Sequence, residues 1–479
     1  MIRFAIYFFP VILLSQDAYD GYILFTPNLT GPNGGNGTAT ILMDNSTETI
    51  HSWQHTQGPA SMPYLNPDST IYYPYRVPNP TMNNGGVGGG IQHLTWDGEV
   101  LWEHIISDEN FQHHHDIEPL PNGNVLVIAW DRKTGQEAFA MGRQSINNPL
   151  NEMWSDAILE LQPDGNGGAI VVWEWYMWDH LIQDVDASLP NFGTVFEHPE
   201  LMDINKGNVG SNPGAPGEPH ADWLHFNAID YNEELDQIAI SSPRAGEIFI
   251  IDHSTTTEEA ASHSGGNSGM GGDLLYRWGN PQNYDRGTNN DKILNGQHSI
   301  NWIYDECPGA GNLILYNNHH FQGQSAVLEL TPPVNATGQY MIDVNSAFGP
   351  QEFAWMHTGD FHSSMQSGAF RQPNGNTFIS VAEFAILFEV DPEGNTVWEY
   401  THPGNNVRIA RAQKYPRDYF AESGTAGDIN DDGLVNVVDV VLLINLILHD
   451  GENASADMNN DGEINVLDVV LVVNIILGN

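Results

Sequence analysis

Three histidines and one arginine of this chain occupy positions from which they could act together on an oxyanion. His115, His225 and His298 each come directly before an apolar segment of a recurring pattern, and the matching position of another copy is Ser367. Arg244 stands out because the 479 residues include only 15 lysines and arginines. A guanidinium beside imidazoles suits an anion with several oxygen edges, such as a sulfate or a phosphate. These residues therefore form our candidate catalytic site.

Each histidine, taken alone, is more simply explained as a hydrogen-bonded side chain at the end of a strand. Their shared position favours a functional interpretation, because equivalent positions of a repeating fold face the same opening. Metal catalysis ranks third, since no carboxylate is spaced with them as a zinc site requires. The run His113-His114-His115 leaves the choice of side chain open there, and further unranked candidates are His319, His320 and His362.

The elements that must position these residues repeat along the chain. One pattern places a Trp-Glu pair after an acidic or glycine turn, at Trp102, Trp173 and Trp398. A second places a turn rich in Gly and Asn before an apolar strand, at 121–128, 309–316 and 373–380. Two such hairpins make four strands, and units of about 40 to 50 residues are typical of propeller blades. The sequence therefore predicts a mainly β chain with a propeller of about six blades, and an array of β-sandwiches is the alternative.

The order and content of these motifs resemble the arylsulfate sulfotransferases, a family of secreted six-bladed propellers. The similarity spans residues 21–415 and is carried by His115-Asp-Ile-Glu-Pro-Leu-Pro-Asn-Gly-Asn, Trp223-Leu-His225-Phe-Asn-Ala-Ile-Asp-Tyr, Ser241-Ser-Pro-Arg244 and Gln297-His298. In that family a histidine attacks the sulfur of an aryl sulfate, becomes a sulfohistidine, and passes the sulfuryl group to a phenol without a nucleotide cofactor. The resemblance implies that His298 is the nucleophile, that Arg244 and His225 bind the sulfuryl oxygens, and that His115 assists the phenol oxygen.

Two loops of identical spacing near the end of the sequence form a separate set of candidate ligands. They begin at Asp428 and Asp457, 29 residues apart. Oxygen-bearing side chains stand at loop positions 1, 3, 5, 9 and 12, with Gly at position 6, where the chain must turn sharply around an ion. Including position 7, the predicted ligands of two Ca²⁺ ions are Asp428, Asn430, Asp432, Leu434, Asn436, Asp439, Asp457, Asn459, Asp461, Glu463, Asn465 and Asp468.

An apolar stretch with helical spacing follows each loop, at 437–448 and at 466–477. No helix-forming stretch precedes the first loop, and position 12 is Asp where a calmodulin-type loop has Glu. In these features residues 427–479 resemble a type I dockerin, a small α-helical calcium-binding domain. The resemblance implies a cohesin-like protein as partner. Alternatively, the ions only stabilise a domain too small to fold on its apolar core alone.

The overall composition excludes several functions. Sixty-one acidic residues against 15 basic ones give a net charge of −46, which repels nucleic-acid backbones and anionic lipid surfaces. We therefore expect neither a nucleic acid nor a membrane as partner. Arg3 and the apolar run that ends at Leu14 match a secretory signal too short to span a bilayer. Cys307 is the only cysteine, which excludes an internal disulfide.

The predicted organisation is a signal peptide at 1–18, a β-propeller domain at 19–420, a linker at 421–426 and a dockerin-like domain at 427–479. The Ser-, Thr- and Gly-rich segment 254–272 is predicted to be a mobile surface excursion. Together these features indicate a secreted, extracellular or periplasmic arylsulfate sulfotransferase with an aryl sulfate donor and a phenolic acceptor. The alternative is a non-catalytic binding or scaffold propeller.

Overall fold

The computed structural model describes residues 18–29, 38–213, 217–321, 323–335, 337–420, 427–430, 435–448, 454–456, 458–459 and 464–477. The chain divides into two compact units, which are described separately. One contains residues 1–64 and 72–414, and the other contains residues 65–71 and 415–479. All of the predicted signal peptide except residue 18, and the predicted linker, lie outside the described residues.

Within the described residues, six four-stranded sheets are the blades of a six-bladed β-propeller. Blade 1 contains β1 (Gly21–Leu29), β2 (Thr38–Asp44) and β3 (Thr49–His55). Blade 2 contains β4 (Tyr64–Leu65), β5 (Ile71–Arg76), β6 (Gly89–Leu94) and β7 (Val100–Ile105). Blade 3 contains β8 (Phe111–Pro119), β9 (Val125–Thr134), β10 (Glu152–Pro163) and β11 (Ala169–Tyr176), with helix α1 (Gly135–Ala140) between β9 and β10.

A small two-stranded sheet of β12 (Leu181–Ile182) and β13 (Met202–Asp203) precedes the second half of the propeller. Blade 4 contains β14 (Ala228–Asn232), β15 (Gln237–Ser242), β16 (Glu247–Asp252) and β17 (Tyr276–Trp278), with helix α2 (Thr257–Ala260) before β17. Blade 5 contains β18 (His298–Trp302), β19 (Leu313–Phe321), β20 (Gln324–Leu330) and β21 (Trp355–Thr358). Blade 6 contains β22 (Gly368–Arg371), β23 (Thr377–Val381), β24 (Ile386–Val390) and β25 (Thr396–Thr401).

The ring closes when the last strand of the propeller, β26 (Val407–Pro416), joins blade 1 beside β1. The first strands of neighbouring blades, among them β8, β14, β18 and β22, contact one another around the central axis. Both repeated sequence patterns fall at consistent places in the blades. The turns rich in Gly and Asn precede the second strands β9, β19 and β23, and the Trp-Glu pairs lie in the outermost strands β7, β11 and β25. The predicted propeller of about six blades is confirmed.

The hydrophobic core lies between neighbouring blades. Trp175, Phe226 and Phe249 pack between blades 3 and 4, and Trp278 and Leu315 pack between blades 4 and 5. A blade that packs between two neighbouring blades has apolar side chains on both faces. The first part of β9 is accordingly fully buried. Each such side chain contributes about 1.5–3 kcal/mol on burial, which stabilises the packing of the blades around the axis.

The second unit contains the two helices predicted after the loops, α3 (Val437–Leu448) and α4 (Val466–Leu477). The side-chain oxygens of Asn436 and Asn465 each accept a hydrogen bond of 2.9 Å from the amide two residues later, which caps the helix start. The fully buried Leu443 and Val472 pack together in the core of this unit. No helix in the described part of the chain is long and apolar enough to cross a lipid bilayer.

Candidate active site

The repeated positions in or just before the innermost strands share a left-handed backbone conformation. The φ angle is +56° at His115, +62° at His225, +58° at Ser299 and +79° at Ser367. Because positive φ is uncommon for residues other than glycine, this conformation marks equivalent positions. The repeat alignment is therefore corrected in blade 5, where Ser299 is the equivalent residue and His298 lies one position earlier. The β18–β19 pairing shifts register just after His298, and such a bulge redirects the side chains beside it.

The structure brings the three predicted histidines together at the axis despite this offset. The rings of His115 and His225 meet edge to face with their centroids 4.5 Å apart. His115 and His298 line one narrow cavity, together with Asn227 and Arg411. His298 also interacts electrostatically with His225. Three blades therefore supply imidazoles to a single site.

Asp222 links Arg244, the fourth predicted site residue, to the three histidines. Its carboxylate contacts His225 Nδ1 at 2.5 Å and Arg244 Nη2 at 3.2 Å, and its backbone carbonyl accepts a hydrogen bond of 2.8 Å from Arg244 Nη1. Asn84 and Trp130 donate to the same carboxylate. Although burial opposes the charge, the neighbouring His225 and Arg244 hold the pKa of Asp222 below its usual range. The anionic Asp222 thereby orients both groups.

The tautomer of His298 follows from its neighbours. Asn318 donates from Nδ2 to the carbonyls of Ser363 and Gln366, at 2.9 and 3.0 Å, so its Oδ1 faces His298. Both Asn318 Oδ1 and the Gly296 carbonyl lie 2.9 Å from His298 Nδ1. Because both are acceptors, Nδ1 carries the proton, and in the neutral ring Nε2 keeps its lone pair.

The His298 ring is neutral near pH 7. Burial lowers its pKa to about 4, and the hydrogen bond to Asn318 only partly opposes this. A neutral imidazole with a free nitrogen lone pair is nucleophilic, whereas its protonated form is not. The arrangement is therefore suited to attack on an electrophile by Nε2.

The structure also distinguishes the three consecutive histidines. The Nδ1 atom of His113 accepts a hydrogen bond of 2.9 Å from the amide of Gly89, and the ring of His114 stacks on Trp130 with centroids 4.2 Å apart. Only His115 of this run lines the central cavity. Gly86 packs against this ring so closely that a Cβ there would lie 2.0 Å from it, so no larger residue fits.

A buried ion pair lies beside the cavity. Arg411, on the closing strand β26, donates from Nη2 to both carboxylate oxygens of Asp116 and to Tyr64, each at 2.7 Å. Burial opposes the charge of Arg411, but Asp116 and Tyr64 raise the guanidinium pKa. A fixed positive charge thus borders the same cavity as His115 and His298.

Of the remaining histidine candidates, His319 and His320 lie on β19 of blade 5, and His362 lies in the loop between β21 and β22. The rings of His319 and His362 pack against each other with centroids 5.7 Å apart, and His320 contacts Asn317. None of the three is among the residues that line the central cavity in the described structure. Gly296 connects the two regions, because His319 packs over it while its carbonyl contacts His298.

Sequence reasoning missed Asp222, Asn318, Asp116 and Arg411. A signal existed for Asp222, which interrupts the apolar run Ala221-Asp222-Trp223-Leu224 three residues before His225. Arg411 is one of few basic residues, as Arg244 is, but it follows no repeated motif. No sequence signal identifies Asn318, because it is distant from His298 in the sequence and the two residues come together only when β18 and β19 pair.

The calcium loops are described only in part, and the described residues fit a cation. Asp439 accepts hydrogen bonds from the amides of Asn436, Ile429 and Asn430. Burial opposes the charge, but these bonds lower the Asp439 pKa. Asp428 is also buried, and residues 427–479 contain no lysine or arginine. An acidic domain without lysine or arginine is compatible with a bound cation. Asp432, Leu434, Asp457, Asp461 and Glu463 lie outside the described residues.

The axis of this six-bladed propeller thus holds three imidazoles and, through Asp222, a guanidinium. The family model described as arylsulfotransferase (ASST) matches residues 95–415, and the chain therefore belongs to the arylsulfotransferase family. A second family model, described as dockerin type I domain, matches residues 426–477. Such domains bind calcium in general. No curated protein matches the chain significantly.

Several solved structures are similar over most of the chain. A protein of unknown function from Bacteroides caccae shares 12% identity at a TM-score of 0.43, covering 82% of this chain and 98% of its own. A periplasmic gluconolactonase of Pseudomonas aeruginosa shares 11% identity at a TM-score of 0.41, covering 82% of this chain and 99% of its own. Similarity this distant supports no conclusion about activity.

Proposed function

We propose that the propeller is an arylsulfate sulfotransferase that moves a sulfuryl group from an aryl sulfate to a phenol through a sulfohistidine at His298. The observation that carries the proposal is the tautomer of His298. Its Nδ1–H group is directed at Asn318 and Gly296, and the lowered pKa keeps Nε2 unprotonated near pH 7. The nucleophilic atom is thus prepared before the substrate binds.

In the first step, the Nε2 lone pair of His298 forms a bond to sulfur. The bond between sulfur and the aryl oxygen breaks, and its electron pair leaves with the phenolate. The sulfated ring retains its Nδ1 proton and gains positive charge, which the oxygens of Asn318 and Gly296 stabilise. Splitting the transfer into two steps lets one histidine serve both donor and acceptor.

Arg244 and His225 bind the sulfuryl oxygens in this mechanism. Both are oriented by Asp222, and preorganised donors stabilise the charge that develops on equatorial oxygens during transfer. Arg244 remains about one third exposed, so its guanidinium is accessible to a ligand.

In the second step, the phenolic acceptor attacks sulfur, and the electron pair of the N–S bond returns to Nε2 of His298. His115 accepts the phenol proton and releases it to solvent, from which the phenolate that departed in the first step takes up a proton. Burial beside other histidines lowers the pKa of His115, which keeps it available as a base. The net reaction exchanges one aryl oxygen for another and needs no cofactor.

The test measures sulfuryl transfer from an aryl sulfate to a phenol by wild type, His298→Ala and His198→Asn. His198 is a surface histidine paired with Glu200 and serves as the matched control. We expect transfer by wild type and by His198→Asn, none by His298→Ala, and mass addition of one sulfuryl group on the His298 peptide after donor treatment alone. Equal transfer by wild type and His298→Ala, or no transfer by either, would refute the proposal.

We further propose that the chain is secreted, with a signal peptide at 1–18 and a propeller domain at 19–420, and that a linker at 421–426 leads to the dockerin domain at 427–479. This domain would bind two Ca²⁺ ions and attach the enzyme to a cohesin-like partner. The support is the pair of loops with identical spacing. Calorimetric titration of the metal-free protein tests the ion count, and a count other than two contradicts it.

A further inference from the structure

Two histidines and an aspartate meet outside the central cavity and have no role in the proposed transfer reaction. His180 follows β11 of blade 3, whereas His263 and Asp273 belong to the segment between α2 and β17 of blade 4. Asp273 Oδ1 lies 2.8 Å from His180 Nδ1 and 2.7 Å from His263 Nδ1. The three ligand atoms lie within 4.8 Å of one another. We call these residues the His180 cluster.

The neighbours of His180 require a proton or a metal ion between His180 and Asp273. His180 Nε2 lies 2.8 Å from the carbonyl oxygen of Ala260, which can only accept a hydrogen bond, so Nε2 carries a proton. In a neutral imidazole the other nitrogen then has only a lone pair. That lone pair faces a carboxylate oxygen at 2.8 Å, a contact that is repulsive unless a proton or a metal ion lies between them.

The environment of His180 resembles that of a metal-binding histidine. Metal-binding histidines almost always donate their second ring nitrogen to a carbonyl or carboxylate, as His180 does. The His180 ring is fully buried and stacks on Trp175, with centroids 5.5 Å apart and planes 8° apart. Trp175 in turn donates to the carbonyl of Gly272 at 2.7 Å. The carboxyl group of Asp179 interacts electrostatically with both His180 and His263, and this negative charge favours a bound cation.

We propose that His180, His263 and Asp273 bind a divalent transition-metal ion of the zinc class. Two imidazoles and a carboxylate are a common protein ligand set for zinc, with water as the fourth ligand. Zinc bound about 2.0–2.2 Å from each ligand requires ligand atoms about 3.3 Å apart. Each of the two short contacts therefore lengthens by roughly 0.5 Å in the loaded site. His263 can move outward, since 60% of its side chain is exposed, and the same exposure provides the path of entry.

The ion has a structural role in this proposal. It connects the end of blade 3 to the segment 254–272, which the sequence suggests to be mobile. In the structure this segment contains α2, whose start is fixed by the reciprocal hydrogen bonds of Thr256 and Glu259. A metal bond to His263 would close the remainder of the loop, and it involves no residue of the central cavity.

Full-length protein, freed of metal by chelation and resupplied with saturating Ca²⁺, is titrated with Zn²⁺ while bound zinc is counted by equilibrium dialysis and atomic emission. His263→Asn removes an exposed ligand without disturbing the core. The matched control is His198→Asn, which removes another exposed histidine from a 2.8 Å contact with a carboxylate. We expect His263→Asn to bind one zinc fewer than wild type, and His198→Asn to bind as many as wild type.

A second measurement follows unfolding. Zn²⁺ at a free concentration of one hundred times its dissociation constant should raise the Tm of wild type by about 3 °C. His263→Asn should lose this shift. Substitution with Co²⁺ should produce the visible absorption of a four-coordinate site in wild type and in His198→Asn, and not in His263→Asn. Equal zinc counts in wild type and His263→Asn, or no zinc bound by wild type, would overturn the proposal and leave a protonated His180 paired with Asp273.

Discussion

Asn318 and His298, twenty residues apart in the sequence, are joined by a 2.9 Å contact between Oδ1 and Nδ1 that determines which nitrogen of the imidazole faces the cavity. The amide cannot rotate without losing two bonds to backbone carbonyls. In the proposed mechanism Asn318 is therefore a positioning residue, which acts through His298.

Replacing Asn318 with Asp should change the pH dependence of transfer. A carboxylate beside Nδ1 stabilises the imidazolium and raises the His298 pKa, so the acid limb of sulfohistidine formation should move from about pH 4 toward neutrality. Asn318→Leu should instead lower the rate by about 100-fold, with no such upward shift. Rate against pH with a saturating aryl sulfate measures both. A purely structural Asn318 would give the two variants the same profile.

Stability should fall in acid because buried histidines are neutral in the folded protein. Burial lowers the pKa to about 3 for His55 and His113 and to about 4 for His298, whereas unfolded histidine titrates near 6.5. Their contribution is fully present above pH 6.5 and is lost as the pH falls toward the folded values. Each should lower the free energy of unfolding by up to about 2 kcal/mol at pH 5.

Urea unfolding between pH 7 and pH 4 measures this loss. His113→Gln should flatten the dependence, because it removes one titrating group, while the exposed control His198→Asn should leave the slope as in wild type. A free energy of unfolding independent of pH over this range would contradict the prediction.

Removing one partner of the Arg411–Asp116 pair should destabilise the propeller. Arg411→Met leaves the buried Asp116 carboxylate without its guanidinium, and such losses cost about 3–5 kcal/mol. The double variant Arg411→Met with Asp116→Asn should recover part of that cost, since neither member is then a buried uncompensated charge. Chemical unfolding of the single and double variants forms the double-mutant cycle, and additive effects would show that the pair is not coupled.

Calcium removal should unfold the dockerin domain and leave sulfuryl transfer unchanged. The domain contains no lysine or arginine, and small metal-binding domains commonly fold only with their ions bound. Asp439→Asn and Asp468→Asn should each bind one Ca²⁺ fewer in calorimetric titration. The exposed Glu399→Gln serves as the control with an unchanged count. A chelator that abolishes transfer by the propeller would contradict this separation of roles.

Periodic features of the sequence were sufficient for the fold. Asn-Gly turns such as Asn122-Gly123 and Asn374-Gly375 require positive φ, which both glycines show at +84° and +90°, and they therefore mark hairpins wherever they occur. The helices α3 and α4 could also be predicted from the sequence, because local apolar spacing and a preceding cap specify them. Segment 254–272 contains no apolar period, and the short helix α2 within it was not foreseen.

Only part of the candidate site could be predicted from the sequence. His115, His225 and His298 were predicted from their place in a recurring motif, and Arg244 was predicted because basic residues are few. Asp222, Asn318 and Arg411 act through side-chain contacts between distant segments, and the offset of His298 from Ser299 arises from a bulge. Composition, repeat period and ligand spacing thus specified the propeller and the calcium loops. Strand pairing and ring closure decided which atoms face one another, because hydrogen-bond direction and burial exist only once those strands have met.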